Sequence, residues 1–145
     1  MNQQNYQCSI AADFTPREAF EGISLVNEWW VKNFEGSAEK LNDVFTVRFS
    51  GGTFVTFEVT ESVHGEKIAW QVTECYLPWL KDKTEWNGTT IVFEISPLGH
   101  ETQVRMTHVG LVPEVECYEG CEAGWNKYFK GSLFKLLTEH IGVPQ

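Results

Sequence analysis

The stretch Phe45-Thr46-Val47-Arg48-Phe49-Ser50-Gly51-Gly52-Thr53-Phe54-Val55-Thr56-Phe57-Glu58-Val59-Thr60 decides the fold class. Phe45, Val47 and Phe49 alternate with Thr46, Arg48 and Ser50, and Val55, Phe57 and Val59 alternate with Thr56, Glu58 and Thr60. A period of two sends each set to its own face of a strand. Ser50-Gly51-Gly52-Thr53 supplies turn residues between the two runs. The stretch therefore predicts two antiparallel strands with one buried face. The same alternation continues downstream. His64-Gly65-Glu66 turns into Ile68, Trp70 and Val72, Asn87-Gly88 leads into Ile91, Phe93 and Ile95, and Pro97-Leu98-Gly99-His100 turns into Val104, Met106 and His108. Five strands joined mostly by short turns read as a meander.

Upstream, Tyr6 to Ala12 reads as a sixth strand. Thr15-Pro16-Arg17-Glu18 then has the signature of a helix start: a capping threonine, proline at the first helical position, and a glutamate where a capping box needs one. Gly22 predicts that this helix is short, and a second short piece follows around Leu25 to Trp30. Downstream, Pro113 opens a segment from Glu114 to about His140 with Glu114, Glu116 and Glu119 at its start, which suits a helix N-terminus. Trp125, Phe129, Leu133, Leu136 and Leu137 follow the helical period. Gly120, Gly124 and Gly131 fall on a different stripe of this helix, and each costs roughly 1 kcal/mol against Ala. That cost predicts close approach of the helix backbone to a sheet, a ligand or a partner. The expected class is α+β: a curved antiparallel sheet of about six strands, two short helices after the first strand, and a long C-terminal helix across the sheet.

A length of 145 residues predicts a single domain over residues 1–145, with enough chain for one core. Aromatics are abundant, with 10 Phe, 6 Trp and 4 Tyr, and 11 Lys+Arg stand against 20 Asp+Glu. A net charge of −9 argues against a nucleic-acid partner and against docking on an anionic membrane. No apolar run is long enough to span a bilayer. The polar start, Met1-Asn2-Gln3-Gln4-Asn5, lacks the pattern of a signal peptide, so a cytoplasmic location is expected. On that expectation Cys8, Cys75, Cys117 and Cys121 read as four thiols, since a bridge across one helical turn is strained unless the helix starts there. No metal-ligand spacing, phosphate-binding loop or nucleophile elbow is present, and no cofactor is implied.

Thr107-His108-Val109-Gly110-Leu111, followed by Cys117-Tyr118, Cys121, Gly124-Trp125, Tyr128 and Gly131-Ser132-Leu133, is similar to a known pattern, and Trp29-Trp30 fits its double tryptophan. With the order of elements, these residues resemble the START-related superfamily called SRPBCC. Within it they resemble the bacterial branch named for homology to the C-terminal domain of the activator of the ninety-kilodalton heat-shock chaperone. The resemblance implies a helix-grip fold, with a space between sheet and long helix that commonly holds an apolar ligand. In the superfamily some members are cyclases, some carry lipids or plant hormones, and some bind partners.

The strand phases place Phe57, Trp70, Phe93 and Met106 on the inward face, and the long helix offers Cys121, Trp125 and Tyr128 opposite them. This set fits either a filled core or an aromatic-lined pocket. Two polar residues share the inward phase. His108 reads as a satisfied buried histidine, a pocket hydrogen-bonding group or a base. Glu74, late in its strand, reads as exposed at the mouth or as a buried carboxylate able to pair with an imidazole. The loop Leu77-Pro78-Trp79-Leu80, with Trp86, covers the end of the core, or forms a lid or a partner surface. The leading expectation is a module that binds a small hydrophobic or aromatic molecule without catalysis. The alternatives are a protein-interaction module of the chaperone-activator type and an enzyme acting on an apolar substrate through His108 and Glu74.

Overall fold

The computed structural model describes residues 5–145, so Met1–Gln4 of the polar start lie outside it. Seven antiparallel strands form one sheet: β1 (Tyr6–Ala12), β2 (Phe34–Gly36), β3 (Val44–Arg48), β4 (Phe54–Val63), β5 (Lys67–Tyr76), β6 (Thr90–Leu98) and β7 (Glu101–Val109). Their spatial order is β1-β7-β6-β5-β4-β3-β2. The five meander strands are thus β3 to β7, and β1 returns to pair with β7, Tyr6 opposite His108. The sheet has one strand more than the sequence predicts. Phe34–Gly36 is too short to show a period, and it pairs only with Val47 to Phe45. It stops at Gly36, whose φ of 98° and tight approach to the Val44 carbonyl exclude a side chain.

Helices α1 (Pro16–Ser24) and α2 (Val26–Trp29) follow β1. Thr15 and Glu18 form the expected capping box: the Glu18 N–H donates to Thr15 Oγ1 at 3.0 Å and the Thr15 N–H to Glu18 Oε1 at 2.8 Å. Gly22 does not end α1, because its bare face lies against Leu137 of the long helix.

The long C-terminal helix runs without a break through α3 (Tyr118–Trp125), a π-type stretch (Asn126–Leu133) and α4 (Phe134–Glu139). It starts four residues later than expected, since Glu114 to Cys117 form turns. Trp125, Phe129 and Leu133 are spaced by four and are all buried. An α-helical turn of 3.6 residues lets such a spacing drift around the axis. The wider π-type turn shifts such a spacing in the opposite sense, and all three side chains stay buried toward the sheet.

The core lies between this helix and the sheet. Trp29, Phe45, Phe57, Trp70, Phe93 and Phe129 are all fully buried. Trp70 sits at the centre, edge-on to Phe45 and Phe93 and stacked parallel to Trp30. Two irregularities bend the β4–β5 pair, between Thr56 and Phe57 and between Val59 and Glu61. The first leaves Thr73 without a partner between Val72 and Glu74. It therefore reverses the phase of the end of β5. After it, Cys75 points inward and is buried, while Glu74 is exposed.

Candidate functional site

At one end of the sheet, a cleft of about 370 Å³ opens between the sheet and the long helix. Phe49, Thr53 and Val55, from the β3–β4 turn and its flanks, form one wall. Cys121, Gly124, Trp125 and Tyr128 of the long helix form the opposite wall. Helical spacings of three and four place these four on one face. The β5–β6 loop closes one side with Leu77, Trp79 and Trp86, and Trp30 lies at the base. Among the described residues, no Asp, Glu, Lys or Arg side chain lines the cleft. Its polar groups are Ser50, Thr53, the Tyr128 hydroxyl and Gln145, and the Tyr128 hydroxyl donates to Gln145 Oε1 at 3.3 Å.

The loop is held by reciprocal bonds to the start of the long helix. The Glu85 carboxylate accepts from the backbone N–H groups of Glu116 and Cys117 at 3.1 and 3.0 Å. The Lys81 N–H donates to Glu116 Oε1 at 2.9 Å. A carboxylate on the amides just ahead of the first helical residue, Tyr118, sits at the positive end of the helix dipole. This contact anchors the β5–β6 loop at the start of the long helix. It also fixes the loop tryptophans against the helix.

His108 does not line the cleft. It lies fully buried behind it, T-shaped against Trp86 and Trp125. Trp125 Nε1–H donates to His108 Nδ1 at 3.1 Å. An indole nitrogen only donates, so Nδ1 is the acceptor and Nε2 carries the proton. Nε2–H then donates to Thr89 Oγ1 at 2.9 Å, and the Thr89 hydroxyl donates to the Trp86 carbonyl at 2.7 Å. The chain leaves no polar atom of the imidazole unpaired. Burial pushes the His108 pKa down from 6.5 to about 3, so the ring is neutral. The arrangement fixes the Trp125 indole by a hydrogen bond, and it holds Trp86 through its backbone carbonyl and the T-shaped contact of its ring with His108.

The structure thus divides the residues expected at a site. Cys121, Trp125 and Tyr128 line the cleft. Phe57, Trp70, Phe93 and Met106 are fully buried in the core beneath it. Glu74 is exposed on the outer face of the sheet and His108 is buried on the inner face, so they form no acid–base pair. Of the loop aromatics, Trp86 is a wall and is buried, while Trp79 is 59% exposed at the rim. Trp30 and Gln145 are lining residues without a periodic signal. The chain between them is closed by backbone bonds: the Lys32 N–H donates to the Gln145 carbonyl, and the Gln145 N–H to the Trp30 carbonyl.

The expectation of four thiols is corrected at one pair. Cys117 and Cys121 are joined in a disulfide, with Cα atoms 5.6 Å apart, inside the range a bridge requires. Cys117 is the residue that caps α3, so the bridge falls where the helix begins. Cys8 and Cys75 are free, and burial raises both thiol pKa values. The glycines also depart from expectation. A Cβ on Gly120, Gly124 or Gly131 would meet nothing within 4 Å, so no protein backbone approaches them, and Gly124 instead faces the cleft. Among the described residues there is no group of three or more His, Cys, Asp or Glu side chains arranged to hold a metal. None of the described helices is long and apolar enough to cross a membrane.

A family model described as "Activator of Hsp90 ATPase homolog 1-like protein" matches residues 18–138. The chain belongs to this family. Solved structures similar to this family member agree on the fold. The solution structure of the Aha1 dimer from Colwellia psychrerythraea superposes with a TM-score of 0.73 at 22% identity, covering 92% of this chain and 96% of that one. The protein SSP2350 from Staphylococcus saprophyticus gives 0.71 at 14% identity, covering 97% and 96%. The protein MLL2253 from Mesorhizobium loti gives 0.69 at 15% identity, covering 95% and 100%. At these identities the likeness is one of fold. No curated protein matches the chain.

Proposed function

We propose that residues 1–145 act as one binding domain, which holds a small, uncharged hydrophobic or aromatic molecule in the cleft and performs no chemistry on it. The observation that carries this reading is the lining: tryptophan, phenylalanine and tyrosine rings, with no charged side chain, in a space of about 370 Å³. That size and that chemistry are those of ligand pockets, which are mostly apolar with a few convergent polar groups. The polar groups at this mouth, Thr53, Tyr128 and Gln145, would orient one or two ligand hydrogen bonds. The neutral, fully paired His108 supports a binding role over acid–base work. A general base needs a pKa near the working pH and reach to the substrate, and His108 has neither.

Native mass spectrometry of the purified protein, set beside the same sample under denaturing conditions, tests the reading. A co-purified small molecule lost on denaturation is the expected result. Titration with an uncharged naphthylamine dye should also quench the tryptophan fluorescence, because four tryptophans line the cleft. A bare protein mass together with no quenching by the dye overturns the reading.

The second reading is a protein-interaction module, as the family description implies. It rests on Trp79, a large aromatic 59% exposed at the rim of an apolar cleft, because exposed aromatics are enriched in interfaces. Under this reading the cleft receives an apolar side chain of a partner, and the bare mass should be accompanied by a stable complex in a pull-down that Trp79→Ala abolishes.

A further inference from the structure

The disulfide and the cleft share a residue. Cys121 lines the cleft and is partly exposed, whereas Cys117 is 3% exposed beneath the first turn of the helix. Of the two cysteines, only Cys121 is therefore reachable from outside, and it is the one that lines the binding space. One turn further along the same face comes Gly124, where a Cβ would meet nothing within 4 Å. A group attached to Cys121 Sγ thus has room, and the room it has is the cleft.

We propose that Cys121 is a thiol–disulfide exchange site opening into the cleft, with Cys117 as its resolving thiol, so that the oxidation state of the pair governs access to the cleft. The coupling to access rests on the ligand-binding reading above. The exchange partner is a low-molecular-weight thiol and its disulfide. In the reducing direction the thiolate attacks Cys121 Sγ, and a new S–S bond forms as the bond to Cys117 breaks. The Cys117 sulfur leaves with the electron pair and takes a proton. A second thiol attacks the outer sulfur of the mixed disulfide and releases Cys121 as a thiol. The pair thereby gains two electrons and two protons from two thiols, which leave as one disulfide. In the oxidising direction the Cys121 thiolate attacks the small disulfide and displaces one thiol. Cys117 then attacks Cys121 Sγ, expels the second thiol and restores the internal bridge. Thiol–disulfide exchange runs through such mixed intermediates, and access decides which sulfur is attacked. Between these end states the adduct on Cys121 fills the cleft, and its removal reopens it.

The test uses glutathione disulfide as the oxidant and an uncharged naphthylamine dye as the cleft probe, with the reduced full chain, Cys117→Ser (or Cys117→Ala if serine at this buried position prevents folding) and Cys121→Ser. Intact mass and peptide mapping read the chemistry. Reduced wild type should return to the bridged form without holding an adduct. The Cys117 variant should keep one glutathione, mapped to Cys121, and should lose dye binding until dithiothreitol restores it. Cys121→Ser should take no glutathione at Cys117. An adduct on Cys117 in that last variant, or none on Cys121 in the Cys117 variant, overturns the exchange site. An adduct on Cys121 that leaves dye binding intact overturns the control of access. Dye that binds none of the unmodified proteins sinks the ligand-binding reading, and the coupling with it, while the mapped adducts still decide the exchange chemistry.

Discussion

His108 shows how one side chain acts on a site that it does not touch. Its ring bridges Trp125 and, through Thr89, the backbone of Trp86. Both tryptophans are cleft walls: the hydrogen bond to Nδ1 orients the Trp125 indole, while Trp86 is tied at its backbone carbonyl and packs its ring T-shaped against His108. That hydrogen-bond chain requires a neutral ring, and here pH enters. The folded pKa is depressed to about 3 from 6.5, so between these values the unfolded chain binds a proton that the folded chain does not. Stability from this group is complete above pH 6.5 and is lost as pH falls toward 3. Between pH 7 and 5 the loss should reach about 2 kcal/mol, read as a fall in the urea midpoint. His108→Gln places an amide oxygen and an amide N–H where the ring had its acceptor and donor, and it does not titrate. This variant should lose about 1–3 kcal/mol at pH 7 from imperfect geometry, yet show a flatter pH dependence over the same interval. Equal pH slopes for the two proteins would remove His108 as the acid-sensitive group. The sequence already showed the inward phase of His108. It did not show the partners, because Trp125 comes from the long helix and Thr89 and Trp86 from the β5–β6 loop.

At the scale of elements, periodicity was legible and its interruptions were not. The alternation of Phe45 to Val59 and of Val104 to His108 maps directly onto β3, β4 and β7, since the unpaired residue of β4, Thr60, falls after Val59. The bulge opposite Thr56 defeats the same reading at the end of β5. One extra residue, Thr73, turns Glu74 outward and Cys75 inward, and a bulge carries no mark in the composition of the strand that holds it. The cleft residues from the long helix were legible for the opposite reason: spacings of three and four put Cys121, Trp125 and Tyr128 on one face whether or not the helix widens later. The three glycines identify the exposed and cleft-facing side of that helix, not a packed one. Gly120→Ala and Gly131→Ala, at exposed positions with free space, should each stabilise the protein by up to about 1 kcal/mol, raising Tm by roughly 2–4 °C. Gly124→Leu should be tolerated by the fold but should abolish binding of the uncharged dye, since its side chain occupies the cleft. A drop in Tm for Gly120→Ala or Gly131→Ala would mean that those faces are covered. Undiminished dye binding in Gly124→Leu would move the binding space elsewhere.

For the whole molecule, the distribution of charge narrows the ligand further than the shape of the cleft does. The chain carries a net charge of −9, and yet no charged side chain lines the cleft. An anion held there without a covalent bond would leave water, meet no cation, and be repelled by the net charge of the chain. A neutral molecule pays neither cost and gains the burial of apolar surface, at about 25 cal/mol per Å². On the ligand-binding reading, the cleft therefore discriminates by charge through what it lacks. An uncharged naphthylamine dye should bind with an affinity that does not change with ionic strength. Its sulfonated counterpart should bind more weakly at low salt and recover part of the difference as salt rises, because the screening length shrinks from about 30 Å at 0.01 M to about 3 Å at 1 M. Trp79→Ala at the exposed rim should weaken both dyes alike, since its contribution is contact with the rings and not charge. Tighter binding of the sulfonate at low salt would require a cation at the site. The cleft between Phe49, Trp125 and Trp79 would then not be where the dye binds, because no Lys or Arg side chain faces it.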